Sequence, residues 1–343
     1  MKGVAFSNDG KLVATAGNNG SVKVWNTEDG SPVGQPWVYG DVVAAVAFSN
    51  DSRWLALTGR GNRVLLSDLV AGKVEREWRA FPESGMYAYT LTFSKDSRTL
   101  LVGGSFSGRV FTVPGGQETV AMTHASNGLT AEVHCAVLSP DEKTILTGGI
   151  NKEALLWSAA DGRRLFDEPL RHDGQVLAAA FAPDARKVAT ASSDGTVKLW
   201  SVATGKLLCS GLTHNGWVQS VAFNRDGSLL ATGCDDGIAR LWRASDGSLI
   251  GSELHHDGPV IKVMFSPSDD TVLTTSQDGT GRLWTPPSQI TGQVGEIEDR
   301  LEAATGQKLE NHTFQVLSRE EWLQHRNSIP KKSAPSAAAT SSP

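Results

Sequence analysis

The 343-residue chain carries 32 Lys and Arg against 37 Asp and Glu, with 39% hydrophobic residues, 36 glycines and three cysteines. That apolar fraction is too high for a disordered chain, and the longest apolar runs, 42–48 and 176–182, fall far short of the roughly 18 residues that span a bilayer. A net charge of −5 gives no overall attraction to nucleic acid or acidic membranes. Scattered Cys135, Cys209 and Cys234 make no disulfide framework, and the first residues show no signal peptide, so a cytoplasmic setting is expected.

Along the chain one phrase recurs: apolar-x-Phe-Ser-x-Asp, a short apolar run, then Asp-Gly-x-Val-x-Leu-Trp. Its Phe or Leu falls at Phe6, Phe48, Phe93, Leu138, Phe181, Phe223 and Phe265, at intervals of 42, 45, 45, 43, 42 and 42 residues. Nineteen residues beyond this anchor stand Trp25, Trp157, Trp200, Trp242 and Trp284. The second unit has Ser67 there; the third, read with an extra residue near Gly103-Gly104, has Val113. Each unit reads as four short strands, in the fifth 176–181, 187–191, 196–200 and 206–212, with Pro183-Asp184, Asp194-Gly195 and Thr204-Gly205 as turns. So short a unit cannot bury both faces alone, whereas seven stacked into a ring can.

Beyond Trp284 the pattern changes. Val294, Ile297 and Leu301 predict an amphipathic helix ending at Thr305-Gly306, and Phe314 to Leu317 a strand. Ser318 and Glu321 form a capping box for a last helix carrying Trp322, and from Asn327 onward the composition is that of a disordered tail. The expected organisation is a repeat domain over 1–285, a helix–strand–helix extension over 286–326 and a tail over 327–343.

Three units carry a matching set of four: His172, Thr190, Asp194, Trp200; His214, Thr232, Asp236, Trp242; and His256, Thr274, Asp278, Trp284. With the repeat spacing, these residues resemble the WD-repeat β-propeller family. The resemblance covers residues 1 to about 285. It implies an all-β, seven-bladed β-propeller of four-stranded antiparallel blades, here followed by a short α/β C-terminal extension. It also implies that each set is a structural hydrogen-bonded tetrad, the Asp accepting from the His. The chain departs from the family pattern: no Trp precedes Asp and no Gly precedes a tetrad His. The first unit has Thr15, Asn19 and Trp25 without a preceding His, and the fourth has Thr147, Asn151 and Trp157 with His124 on a longer approach loop. The second and third read as lacking the tetrad. The chain before the first strand is too short to give the seventh blade an outer strand, so either the C-terminal segment supplies it or the edge stays open and available for pairing.

The tail pattern Thr-Gly-x-x-Leu, Phe-x-Val-Leu, Glu-x-Trp-x-x-His-Arg resembles the end of bacterial, planctomycete-type WD-repeat proteins, many with a serine/threonine kinase domain upstream. No kinase motif occurs in this chain, which suggests a C-terminal portion of such a protein or a descendant that lost its enzymatic half.

No phosphate loop, nucleophile elbow or His-Glu-x-x-His motif occurs. His255-His256-Asp257 leaves one uncommitted His once His256 joins its tetrad, and His134 beside Cys135 should face the opposite way on a strand. No metal, cofactor or catalytic residue is therefore expected. A propeller hydrolase remains an alternative, but it needs two acids at the channel, and only Glu132 stands near it.

The expectation is a non-catalytic scaffold binding protein partners, with no nucleic acid or membrane partner. The alternative is a regulatory or substrate-recruiting module of a kinase-type protein. Two positions per unit should face a partner on one end of the disc. Four residues before the anchor they are Ala44, Tyr89, His134, Leu177, Gln219 and Ile261; before the Asp-Gly turn they are Asn18, Arg60, Phe106, Ile150, Ser193, Asp235 and Gln277. Tyr87 and Trp217 lie nearer the rim. The aromatics of the third unit either fill the space of its missing tetrad or form a docking patch.

Overall fold

The computed structural model describes residues 3–17, 19–81, 87–126, 129–266 and 270–286, together with 307–310 and 313–316; for 125–126, 129–130 and the last two segments only the backbone is described. The chain divides into two compact units, 1–286 and 287–343.

The first unit is a sequence of antiparallel sheets, each from consecutive strands. Blade 5 shows the pattern: Val176–Phe181, Lys187–Ser192, Thr196–Ser201 and Leu207–Thr213. Blades 1 to 6 have four strands, although the outermost strands of blades 4 and 6 are only Leu170–Arg171 and Leu254–His255. Blade 7, made of Val260–Phe265, Val272–Ser276 and Gly281–Trp284, has three among the described residues. The inner strands of blades 1 to 7 adjoin in chain order. Residues from blades 1, 2, 3, 4 and 7 line one axial cavity of about 610 Å³.

The two-residue period of a strand gives each blade two faces, and both are apolar. In blade 5, Val188 and Trp200 pack with Leu146 and Leu156 of blade 4. Ala189, Ala191 and Leu199 pack with Val218, Leu230 and Trp242 of blade 6. Hence the sheets of blades 2 to 6 are covered on both sides by their neighbours, and the outermost strands, such as Lys73–Arg79, turn largely exposed side chains to the rim.

The recurring motifs are turn chemistry. In Phe-Ser-x-Asp the serine hydroxyl donates to the carboxylate two residues on, Ser49 to Asp51 at 2.5 Å and Ser139 to Asp141 at 2.6 Å. The same carboxylate accepts the amide of Arg53 or Lys143, closing an Asx-type turn between the first two strands. In Asp-Gly the glycine holds φ of +81° at both Gly195 and Gly237, and a Cβ there would meet the carbonyl oxygen of His214 or His256 at 2.9 or 3.0 Å. Only glycine meets both conditions.

Blade 3 departs from the expected register. Leu100 pairs with Phe111, as Val188 pairs with Trp200, so Phe111 and not Val113 stands at the Trp position. The unit is one residue short, not one long. Gly104 pairs directly with Ser107, and Phe106 takes a left-handed φ of 70° within the two-residue turn between them.

The flank between blades 7 and 1 is less covered than the others. Leu283 is 69% exposed, whereas its equivalents Leu199 and Leu241 are 1% and 2% exposed. On blade 1, Val13 and Trp25 are half-buried, while Val188 and Trp200 are buried.

In the second unit the described elements are Gln307–Glu310 and Thr313–Val316, paired antiparallel. The expected strand at 314–317 overlaps the second of these, and the first is a strand the sequence reading lacked. The expected helices around Val294–Leu301 and Trp322, and the tail beyond 327, lie outside the described residues.

Candidate functional site

Four blades hold a buried polar relay. In blade 5 the Trp200 indole N–H donates to Thr190 Oγ1 at 2.8 Å, the Thr190 hydroxyl donates to His172 Nε2 at 2.8 Å, and His172 Nδ1–H donates to Asp194 at 3.0 Å. Blade 7 repeats it with Trp284, Thr274, His256 and Asp278 at 2.7, 2.6 and 3.1 Å. Each polar group left inside the ring by the Trp and His thus meets a partner. Burial pushes His172 down, which keeps its ring neutral. Burial alone would raise Asp194, but hydrogen bonds from Thr196 and from the Asp173 amide prevail and hold it at about 2.

In blade 6 the relay is cut. Trp242 still donates to Thr232 at 2.9 Å, and Thr232 to His214 Nε2 at 2.7 Å. Asp236, however, accepts from Arg240 at 2.8 Å, and His214 Nδ1 is buried without a partner. The expected Asp–His bond is absent because the Arg240 guanidinium, also bound to Glu253 at 2.9 Å, claims the carboxylate. Burial, then the charge of Arg240, pushes His214 down to about 4.

A fourth relay was not assembled from the sequence. His124 Nδ1 accepts from Thr147 at 2.9 Å, its Nε2–H donates to Asn151 at 3.1 Å, and Trp157 donates to Thr147 at 2.7 Å. The signal was present in Thr147, Asn151 and Trp157, but inserted residues after His124 broke the offset. Burial holds His124 at about 4.

In blade 2, Tyr39 occupies the His position; its hydroxyl and that of Thr58 both donate to Arg63 O, at 2.8 Å each. In blade 3 the position is apolar: Ala80, Phe81, Val102 and Phe111 are buried in one cluster. Asn62 secures that plug, donating to Phe81 O at 2.5 Å and accepting from Phe81 N at 2.8 Å. The space of the missing tetrad is therefore filled by Phe81 and Phe111, not by Tyr87, Tyr89 or Phe106.

The residues expected to face a partner lie at one end of the ring. Ala44, Tyr89, His134, Leu177, Gln219 and Ile261 are each the extra residue of a β-bulge in an inner strand. A bulge re-aims its side chain out of the sheet alternation. It also corrects the expectation drawn from alternation for His134 and Cys135: His134 stands at the bulge, while Cys135 is buried and pushed up to about 12 by that burial. A thiol so buried and so raised is a poor nucleophile.

Arg60, Ile150, Ser193, Asp235 and Gln277 hold matching turn positions, each amide donating to a carbonyl just before the inner strand of its own blade, for instance Arg60 to Val42 O at 3.1 Å and Gln277 to Pro259 O at 2.9 Å. In blade 3 that position belongs to Ser105, and Phe106 stands one residue on, at the tip of the turn. Asn18 lies outside the described residues.

The structure brings some of these residues together. The Tyr87 and Tyr89 rings lie 6.2 Å apart and those of Tyr89 and His134 5.9 Å apart. The Tyr89 hydroxyl donates to Glu132, and burial followed by that carboxylate pushes the phenol above its ordinary range. Burial pushes His134 down, and its Nε2 is buried without a hydrogen-bond partner. Elsewhere on this end, Gln219 donates to Asp235 at 3.0 Å, and Trp217 stands 52% exposed.

Four stretches, 2–26, 168–201, 205–243 and 247–285, together less than half of the chain, match the family described as WD domain, G-beta repeat. No curated protein matches the chain. The matched segments fall on blades 1, 5, 6 and 7, and blades 2 to 4 continue the same architecture with altered tetrads, so the first unit is a seven-bladed β-propeller with WD repeats at blades 1, 5, 6 and 7.

Proposed function

We propose that the chain is a non-catalytic scaffold that presents one end of its propeller to a protein partner. WD-repeat propellers are generally protein-interaction modules, and one observation supports that reading for this chain. Among the described residues, the exposed aromatics Tyr87, Phe106 and Trp217 all lie on the end built from the outer-to-inner loops and the second-to-third-strand turns, with exposed Ile150 beside them. Exposed aromatic side chains desolvated by a partner supply much of the energy at interfaces. The experiment is affinity capture with the wild-type chain and with Tyr89→Ala, Phe106→Ala and Trp217→Ala combined. Undiminished recovery of the same partners by a folded triple variant overturns the reading.

The resemblance of the tail to planctomycete-type WD-repeat proteins supports a second reading, in which the propeller recruits substrates for a serine/threonine kinase domain of the same protein. The bacterial assignment rests on that resemblance as well. Reading the coding region upstream of Met1 tests it, and an in-frame stop immediately before Met1 counts against it. The three free cysteines are consistent with the cytoplasmic location we propose, and fractionation of the native cell tests that.

A further inference from the structure

The channel mouth at blades 3 and 4 holds a carboxylate that no basic side chain contacts directly among the described residues, although the charge of Arg60 reaches its partner Tyr89. Glu132 is half-buried, forms no ion pair among the described residues, and accepts from the Tyr89 hydroxyl. An ionised carboxylate partly withdrawn from water is costly unless a cation or several donors complete it. Around it stand the rings of Tyr87, Tyr89 and His134, at centroid separations of 6.2 and 5.9 Å along the series. The His134 ring is neutral, because burial lowers its proton affinity, and so adds no repulsion to an incoming positive charge.

Two further observations concern the same place. Three residues separate Tyr39 from Val43, His172 from Val176, His214 from Val218 and His256 from Val260, but seven separate Ala80 from Ala88 and eight separate His124 from Val133. The two longest of these connections thus end at Tyr87 and Glu132, within the aromatic group, and loops lengthened on a rigid scaffold are where binding determinants concentrate. The charge of this end is also one-sided. Apart from the tetrad aspartates, its described loops and turns carry Asp41, Glu132, Asp173, Asp235 and Asp257 against Arg60 and Lys152.

We propose that this mouth receives the Arg or Lys side chain of a basic peptide segment of the partner, its charge on Glu132 and its stem against the faces of Tyr87, Tyr89 and His134. Aromatic faces and a carboxylate are complementary to a cation in the same way, and the acidic end of the ring extends that complementarity to flanking basic residues. The inference rests on the scaffold reading and names the chemistry of its partner.

The test is to pan a library of random heptapeptides on the folded full chain and to measure the affinities of the enriched peptides. Basic peptides should emerge. Replacing their central Arg or Lys by norleucine should weaken binding at least tenfold, and so should Glu132→Gln. Tyr89→Phe separates a ligand role of Glu132 from a structural one. It keeps the ring and frees the carboxylate, so binding should persist; if Tyr89→Phe loses binding as Glu132→Gln does, Glu132 serves only to hold the tyrosine and the inference fails. Enrichment of peptides without basic residues, insensitive to Glu132→Gln but lost on Trp217→Ala, overturns the inference and leaves the scaffold reading standing. No enrichment on folded wild-type chain counts against both.

Discussion

At the scale of single residues, the threonine of each relay is the hub. Thr190 accepts from Trp200 and donates to His172, so Thr190→Val orphans two buried groups at nearly constant volume. A loss of about 2–4 kcal/mol in urea unfolding is expected. The histidines predict acid lability. The folded values of His124, His172 and His214 lie below the unfolded one, so the unfolded chain takes up protons first as pH falls. The stability they contribute is complete above about 6.5 and is lost between there and about 4, the value for both His124 and His214. Each shift corresponds to roughly 3 kcal/mol when fully expressed. Unfolding free energies measured from pH 7.5 to 4.5 should fall accordingly, and His124→Gln should flatten the profile. Arg240→Leu releases Asp236 toward the orphaned His214 Nδ1, so the His214 titration followed by NMR should move upward; an unchanged value would show that Arg240 is not what cuts the relay.

At the scale of elements, the blades show how far a repeat can drift while its packing survives. Blade 5 follows its sequence reading to within a residue or two at each strand, because the Asp-Gly and Ser-x-Asp-type turns are local chemistry. Blade 3 does not. The choice between an insertion and a deletion near Gly103-Gly104 depends on which aromatic enters the interface with blade 2, and only the cross-strand pairing of Leu100 with Phe111 decides it. Phe111→Ala should therefore cost about 3–5 kcal/mol, as a core aromatic does, whereas Val113→Ala should cost less. His124, named from the sequence as the His on the approach loop of the fourth unit, was not joined to Thr147 and Asn151 for a related reason: its partners lie across an insertion, and sequence offset does not survive an insertion although the spatial relation does. The cluster of Tyr87, Tyr89, Glu132 and His134 was only half legible. Its members could be named by alignment, but the bond from Tyr89 to Glu132 joins neighbouring blades, and no spacing along the chain reports it.

At the scale of the molecule, equivalent residues part company at the flank between blades 7 and 1. Leu241→Ala should cost about 2–5 kcal/mol in equilibrium unfolding, whereas Leu283→Ala, at the same repeat position but largely exposed, should cost under about 1 kcal/mol. A large loss for Leu283→Ala would show that this flank is packed in solution. The sequence by itself determined the number of blades, the identity of most turns and the complete polar relays of blades 5 and 7, because strand alternation, turn propensity and the 42–45 residue spacing are properties of the chain read locally. Tertiary structure alone decided that Arg240 takes the carboxylate meant for His214, that Phe81 and Phe111 fill blade 3 and so leave the other aromatics on the surface, and that Glu132 lies among them bonded to Tyr89. Those outcomes are contests between groups distant in sequence, settled by which partners the closed packing of neighbouring blades brings within reach.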